Sequence, residues 1–122
     1  SRELEVKYIN VHGALERLGG DRALLAELAG LFLEEGPRLM AEVEDALERG
    51  DAHASQNAAH QLKGLLSQFC AEQPRVAAWE VELASRQADL AAARAKAATL
   101  RRLIEALQPE LRQLAEGRLG TA

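Results

Sequence analysis

Residues 52–71 read AHASQNAAHQLKGLLSQFCA, placed between Gly50-Asp51 and Pro74. At about 100° per residue, Ala58, Leu62, Leu65, Leu66 and Phe69 gather on one side of a helix, within roughly 60° of the point opposite His60. The other side collects His53, Gln56, Asn57, His60, Lys63, Gly64, Ser67 and Gln68. One half of this helix is built for a core, and His60 stands near the middle of the polar half.

The same periodicity continues on both sides of this stretch. Asn10 is suited to cap a short helix from Val11 to Leu18, Gly19-Gly20 ends it, and Asp21 caps the next. Leu24, Leu25, Leu28, Leu31 and Phe32 then recur at three- and four-residue steps. Gly36-Pro37 predicts a kink or short break, with a successor helix carrying Leu39, Met40, Val43 and Leu47 up to Gly50. Asp51 caps 52–71, and Pro74 starts a helix with Val76, Ala77, Val81 and Leu83. The Ala-rich tract continues helically from about Asp89 through Leu100, Leu103, Ile104 and Leu107, and Pro109 should kink or split its end.

Such short connections between amphipathic helices force antiparallel neighbours. The expected fold is all-α: an antiparallel four-helix bundle with a short accessory N-terminal helix. Residues 1–9 form a lead-in, 10–116 the bundle domain, and 117–122 a tail.

Composition agrees with this reading. The chain has 122 residues, room for one domain, and only 3% of them are aromatic, which disfavours a sandwich or barrel. A net charge of −4, with no aromatics interleaved among the bases, argues against a nucleic-acid face. The charge is uneven, twelve acids against six bases in residues 1–52 and seven bases against four acids in residues 84–122. A single cysteine, Cys70, allows no internal disulfide and fits a cytoplasmic location. Ser1 to Lys7 is too charged for a signal peptide, and no apolar run is long enough to insert in a membrane.

A lone exposed histidine on a helix is ordinarily a surface residue. Here its neighbours change the reading. Gly64, one turn on, costs about 1 kcal/mol against alanine inside a helix and trims the steric cover over His60. Lys63, also one turn away, reads as an exposed cation, so the strip can receive an anion. His53 lies about 10.5 Å from His60 along the axis, too far to share a metal, and no metal site is expected. No acid on this face orients His60 as a hydrolase triad requires, and no phosphate loop for ATP is present. Trp79 and Met40 read as core or groove residues.

Ala59-His60-Gln61-Leu62-Lys63-Gly64 resembles the Ala-His-x-Leu-Lys-Gly motif of histidine-containing phosphotransfer (HPt) domains. The resemblance extends through Leu18-Gly19-Gly20-Asp21, Leu31-Phe32-Leu33-Glu34-Glu35, Gly50-Asp51, Ala71-Glu72 and Val81-Glu82 to Arg86, roughly residues 10–86. Cys70 departs from it where the family often has glycine, and Pro74 replaces a usual apolar residue. The resemblance implies a phosphoryl carrier without kinase activity of its own. His60 would be the phosphoacceptor, with electrostatic support from Lys63, steric access at Gly64, and Gln56, Asn57, Ser67 and Gln68 flanking the contact. It implies no intrinsic cofactor, Mg²⁺ on the partner, and response-regulator receiver domains and a hybrid sensor kinase as partners; the mutual burial of the apolar stripes predicts a monomer, with leftover Leu and Ala on the C-terminal helix as the route to a dimer. Cognate receivers, the direction of transfer, and a free-standing protein against an excised module stay open. The alternative is a non-catalytic helical adaptor for another protein.

Overall fold

The computed structural model describes residues 6–118. Five helices follow in order: α1 (Val11–Arg17), α2 (Arg22–Glu48), α3 (Ala52–Ser67), α4 (Glu72–Arg86) and α5 (Leu90–Ala115). Helix α3 packs on α2 and α4, and α5 closes the ring by packing on the same two, while α1 leans on α2. This is an antiparallel four-helix bundle with an accessory N-terminal helix, as the sequence predicts. Phe32, Met40, Leu62, Leu66, Leu100 and Leu107 are among the side chains buried at its centre.

The helix starts are those the polar residues announce. Asn10, Asp21, Asp51 and Asp89 each accept, through the side chain, a backbone N–H in the first turn of α1, α2, α3 and α5. Helix α4 has no such cap. It begins at Glu72, two residues before Pro74, whose missing N–H falls among first-turn donors that have no helical partner anyway.

A kink or a break is expected at each of two prolines, and neither helix breaks. Helix α2 runs unbroken through Gly36-Pro37 and α5 through Pro109. An interior proline costs about 3 kcal/mol, yet Phe32, Leu39, Met40 and Val43 are buried on both sides of Pro37, each contributing roughly 1.5–3 kcal/mol. Both prolines are exposed, so the carbonyl each one frees lies on the solvent side. Gly36 serves packing, because a Cβ there would run into the Phe32 ring.

The helix ends carry a correction of another kind. Helix α3 stops at Ser67 rather than 71, and residues 87–89 separate α4 cleanly from α5. Each stop is a Schellman turn. At the first, Cys70 and Ala71 N–H groups bond back to the Ser67 and Leu66 carbonyls; at the second, Ala88 and Asp89 bond back to Ser85 and Ala84. Such a turn needs a left-handed residue, and Cys70 (φ 49°) and Ala88 (φ 57°) take that position without being glycine.

The lead-in is tied down where it is described. Tyr8 and Ile9 donate their backbone N–H groups to the buried Glu110 carboxylate of α5 at 3.1–3.3 Å, and Ile9 joins the core. Residues 1–5 of the lead-in and 119–122 of the tail lie outside the described residues.

Ala88 is exposed, so replacing it with glycine removes left-handed strain without opening a cavity. Ala88→Gly is expected to raise the unfolding free energy by about 0.5–1 kcal/mol, after the larger backbone entropy of glycine is subtracted. A urea titration that leaves the midpoint unchanged or lowers it would show that this turn holds no strain.

Candidate functional site

Small residues let α3 and α4 approach closely. Ala59 and Ala78 are fully buried, and the hydroxyls of Ser55 and Ser85 meet at 2.7 Å in the interior. That contact sets the register of the two helices and brings residue 60 opposite residue 82.

The His60 side chain is 66% exposed, whereas Glu82 from α4 lies beneath it with its side chain only 4% exposed. Nδ1 of His60 is 3.0 Å from Oε2 of Glu82. Lys63 places Nζ 2.7 Å from Oε1, an ion pair without hydrogen-bond alignment, and no other donor reaches that oxygen among the described residues. Arg86, one turn along α4, donates from its guanidinium to Oε2 at 3.1 Å.

Burial pushes the Glu82 carboxyl up, but the close Lys63 ammonium and then the hydrogen bond and charge of His60 outweigh it and leave it below the ordinary glutamate value. Glu82 is therefore ionised at neutral pH and can only accept. The proton of the hydrogen bond belongs to Nδ1, which fixes the neutral tautomer with its lone pair on Nε2. Nε2 has no hydrogen-bond partner among the described residues, and the ring is mostly in solvent.

Gly64 is exposed, and a Cβ built there meets no atom within 4 Å. The flanking polar residues do not converge on His60. The Asn57 amide lies 3.3 Å from Nε2 of His53, Ser67 bonds back to the Lys63 carbonyl at 3.0 Å, and Gln56 and Gln68 are half-buried without a polar contact to the ring. Arg17 from α1 also binds the Ser67 carbonyl, which occupies that end of the strip with structural contacts. Met40 is core, and Trp79 stands 43% exposed beside a shallow groove between α4 and α5.

Two residues of the cluster were not singled out from the residues themselves. No acid lies on the polar face of α3, as read from the sequence, and Glu82 arrives from the neighbouring helix instead. A signal existed: Ala78 one turn before and Ser85 one turn after are both on the buried side of α4, so a carboxylate at 82 had to be inside and had to find partners. Arg86 follows at i+4 from it. Lys63 is not the exposed cation expected; its side chain is 24% exposed and holds the buried carboxylate.

The cluster opens on an outer face through His60. A hollow of about 570 Å³ between α4 and α5, crossed by the Lys96–Glu80 ion pair, includes none of its residues. Among the described residues no group of three or more His, Cys, Asp and Glu is placed to hold a metal, and no helix is long and apolar enough to cross a membrane.

Because the folded-state pKa of Glu82 is depressed, its contribution to stability is present above the unfolded glutamate value of about 4.3 and is lost as pH falls through the folded value. Removing Lys63 strips the buried carboxylate of a main partner. Lys63→Ala is expected to destabilise the fold by about 1–2 kcal/mol at pH 7, with the gap to the native protein closing at acid pH, as Glu82 takes up its proton. Denaturant titrations at pH 7 and at acid pH check this; equal stabilities at pH 7 would mean the pair contributes nothing.

The model of the Hpt domain family matches residues 27–110, a span that holds α3, α4, most of α2 and most of α5. No curated protein and no solved structure gave a match. The match covers well over half of the chain and contains the whole His60–Glu82 cluster. The chain belongs to the Hpt domain family, the histidine phosphotransfer modules that work with receiver domains in phosphorelays.

Proposed function

We propose that His60 accepts a phosphoryl group from the aspartyl phosphate of one receiver domain and passes it to the aspartate of another. The observation that carries this reading is the bond from His60 Nδ1–H to the buried Glu82 carboxylate, which leaves the Nε2 lone pair facing outward. In the forward step the Nε2 lone pair forms the N–P bond while the P–O bond to the donor aspartate breaks, and the electron pair leaves with that carboxylate. The proton stays on Nδ1. The positive charge that develops on the ring is offset by the buried Glu82 carboxylate at 3.0 Å. In transfer onward the second aspartate forms the P–O bond as the N–P bond breaks, its electron pair returns to Nε2, and the phosphorylated cationic ring leaves as neutral imidazole.

Lys63 has two tasks in this reading. It keeps Glu82 ionised, and its charge lies one helical turn from His60, where it offsets negative charge spread over the phosphoryl oxygens. Gly64 leaves clearance on the approach to His60, and Gln56, Asn57, Ser67 and Gln68 border the surface that a receiver covers. Mg²⁺ belongs to the receiver, which brings the acids that bind it. The chain acts as a monomeric cytoplasmic carrier and makes no phosphoryl bond from ATP.

His60→Gln is expected to keep the fold, since the ring is mostly exposed, and to lose acceptance of label from a phosphorylated receiver. The label on the native protein should be acid-labile and comparatively base-stable. Binding of a receiver unchanged in His60→Gln, with no labelling of the native chain by any of a panel of phospho-receivers, would favour an adaptor instead.

Gly64→Gln is expected to slow receiver-dependent transfer by about tenfold or more, while a small phosphoramidate donor is affected much less. Equal slowing with both donors would place the damage at His60 itself, and no slowing with either would remove steric access as the reason for this glycine.

A further inference from the structure

Two cations share one buried carboxylate in this cluster, and they do not share it alike. Lys63 comes from the same helix as His60, is mostly covered, and takes Oε1. Arg86 comes from α4, is 54% exposed, and takes Oε2, the oxygen that also accepts from His60 Nδ1. The guanidinium nitrogen and Nδ1 are therefore no more than about 6 Å apart across a common acceptor. With a neutral imidazole the three charged groups sum to one surplus positive charge, so Arg86 is not needed to neutralise Glu82.

We infer that Arg86 is a positioning residue that sets the basicity and nucleophilic strength of His60 by competing with it for Glu82 Oε2. The inference deepens the reading of His60 as nucleophile and rests on it for its consequence in transfer, though not for the competition itself. Each donor on a carboxylate oxygen draws off part of its negative charge, and what Arg86 draws is withheld from the imidazole. Without Arg86, Oε2 serves His60 alone. The cationic ring is then better stabilised, both when a proton and when a phosphoryl group occupies Nε2. Among the described residues, Lys63, Glu82 and Arg86 are the charged groups at this cluster, and no charged side chain of α2 forms an ion pair with His60 or Glu82.

The test reads the neutral lone pair of Nε2 directly. Diethyl pyrocarbonate acylates neutral imidazole, and peptide mass spectrometry separates His60 from the exposed His12 and His53, which serve as internal references. In Arg86→Gln the acid limb of the His60 rate profile should move to higher pH, so that at a fixed pH on that limb His60 reacts about two- to five-fold more slowly relative to His53. Arg86→Glu should move it further in the same direction, and Arg86→Lys, which keeps a cation within reach, should fall near the native profile. With a cognate receiver, the equilibrium between phosphorylated receiver and phosphorylated His60 should shift toward His60 by a similar factor in Arg86→Gln.

An ion pair serving stability alone would lower the melting temperature without moving the His60 limb relative to His53. Unmoved limbs in both the Gln and the Glu variants, or movement to lower pH, would overturn the inference. If no receiver or small donor phosphorylates the native chain, the phosphotransfer reading fails, while the carbethoxylation profiles still decide whether Arg86 governs His60.

Discussion

A carboxylate with its side chain 4% exposed in the seam between two helices is the constraint on which the site depends. Ionised and unpaired, it would cost several kcal/mol of desolvation and would force α4 away from α3 or shift its own proton equilibrium. It is retained because Lys63 and His60 come from α3 and Glu82 from α4, so that forming those two pairs and closing the seam are one event, while Arg86 adds a pair within α4 itself. The histidine is held by the same bond that makes the carboxylate tolerable. Stability and chemistry are thus coupled at Glu82, and a change meant to probe one will disturb the other.

That coupling needs residues 60 and 82 at the same level, which the α3–α4 connection supplies. The Schellman turn at Cys70 reverses the chain within residues 68–71, and the Phe32 ring meets Phe69 edge to face at 5.7 Å, fixing the end of α3 against α2. Arg17 binds the Ser67 carbonyl, and Asn10 N–H bonds to the Phe69 carbonyl, so α1 and the lead-in brace the same corner. The C-terminal end of the helix that carries His60 is thereby tied to α2, α1 and the lead-in.

Much of this was legible in the sequence, for identifiable reasons. The bundle, the outward His60 and the caps at Asn10, Asp21, Asp51 and Asp89 all follow from period and local chemistry, which act over three or four residues. The overrun of α3 to residue 71 came from reading stops by their glycines, when two stops are made by Cys70 and Ala88. The expected breaks at Pro37 and Pro109 weighed a local cost against nothing, whereas the buried stripe on either side outweighs it. Glu82 and Arg86 entered only as part of a family pattern, because their roles depend on which helix lies beside α3, and periodicity within one helix does not carry that.

The interior glycines show how structure changes the weight of a sequence signal. Gly13, Gly30, Gly36 and Gly64 all lie inside helices, where each costs about 1 kcal/mol against alanine. At Gly13 a Cβ would crowd Asn10 and Cys70, and at Gly36 it would meet Phe32, so both are explained by neighbours within the chain. Gly30 and Gly64 face open space, and nothing in the structure accounts for Gly30. Open space alone is therefore no mark of function. What separates Gly64 is its place one turn from a histidine whose inner nitrogen is committed to a buried carboxylate and whose outer nitrogen has no hydrogen-bond partner among the described residues. The clearance that Gly64 leaves is beside the atom suited to meet a partner, which is the distinction that Gly30 lacks.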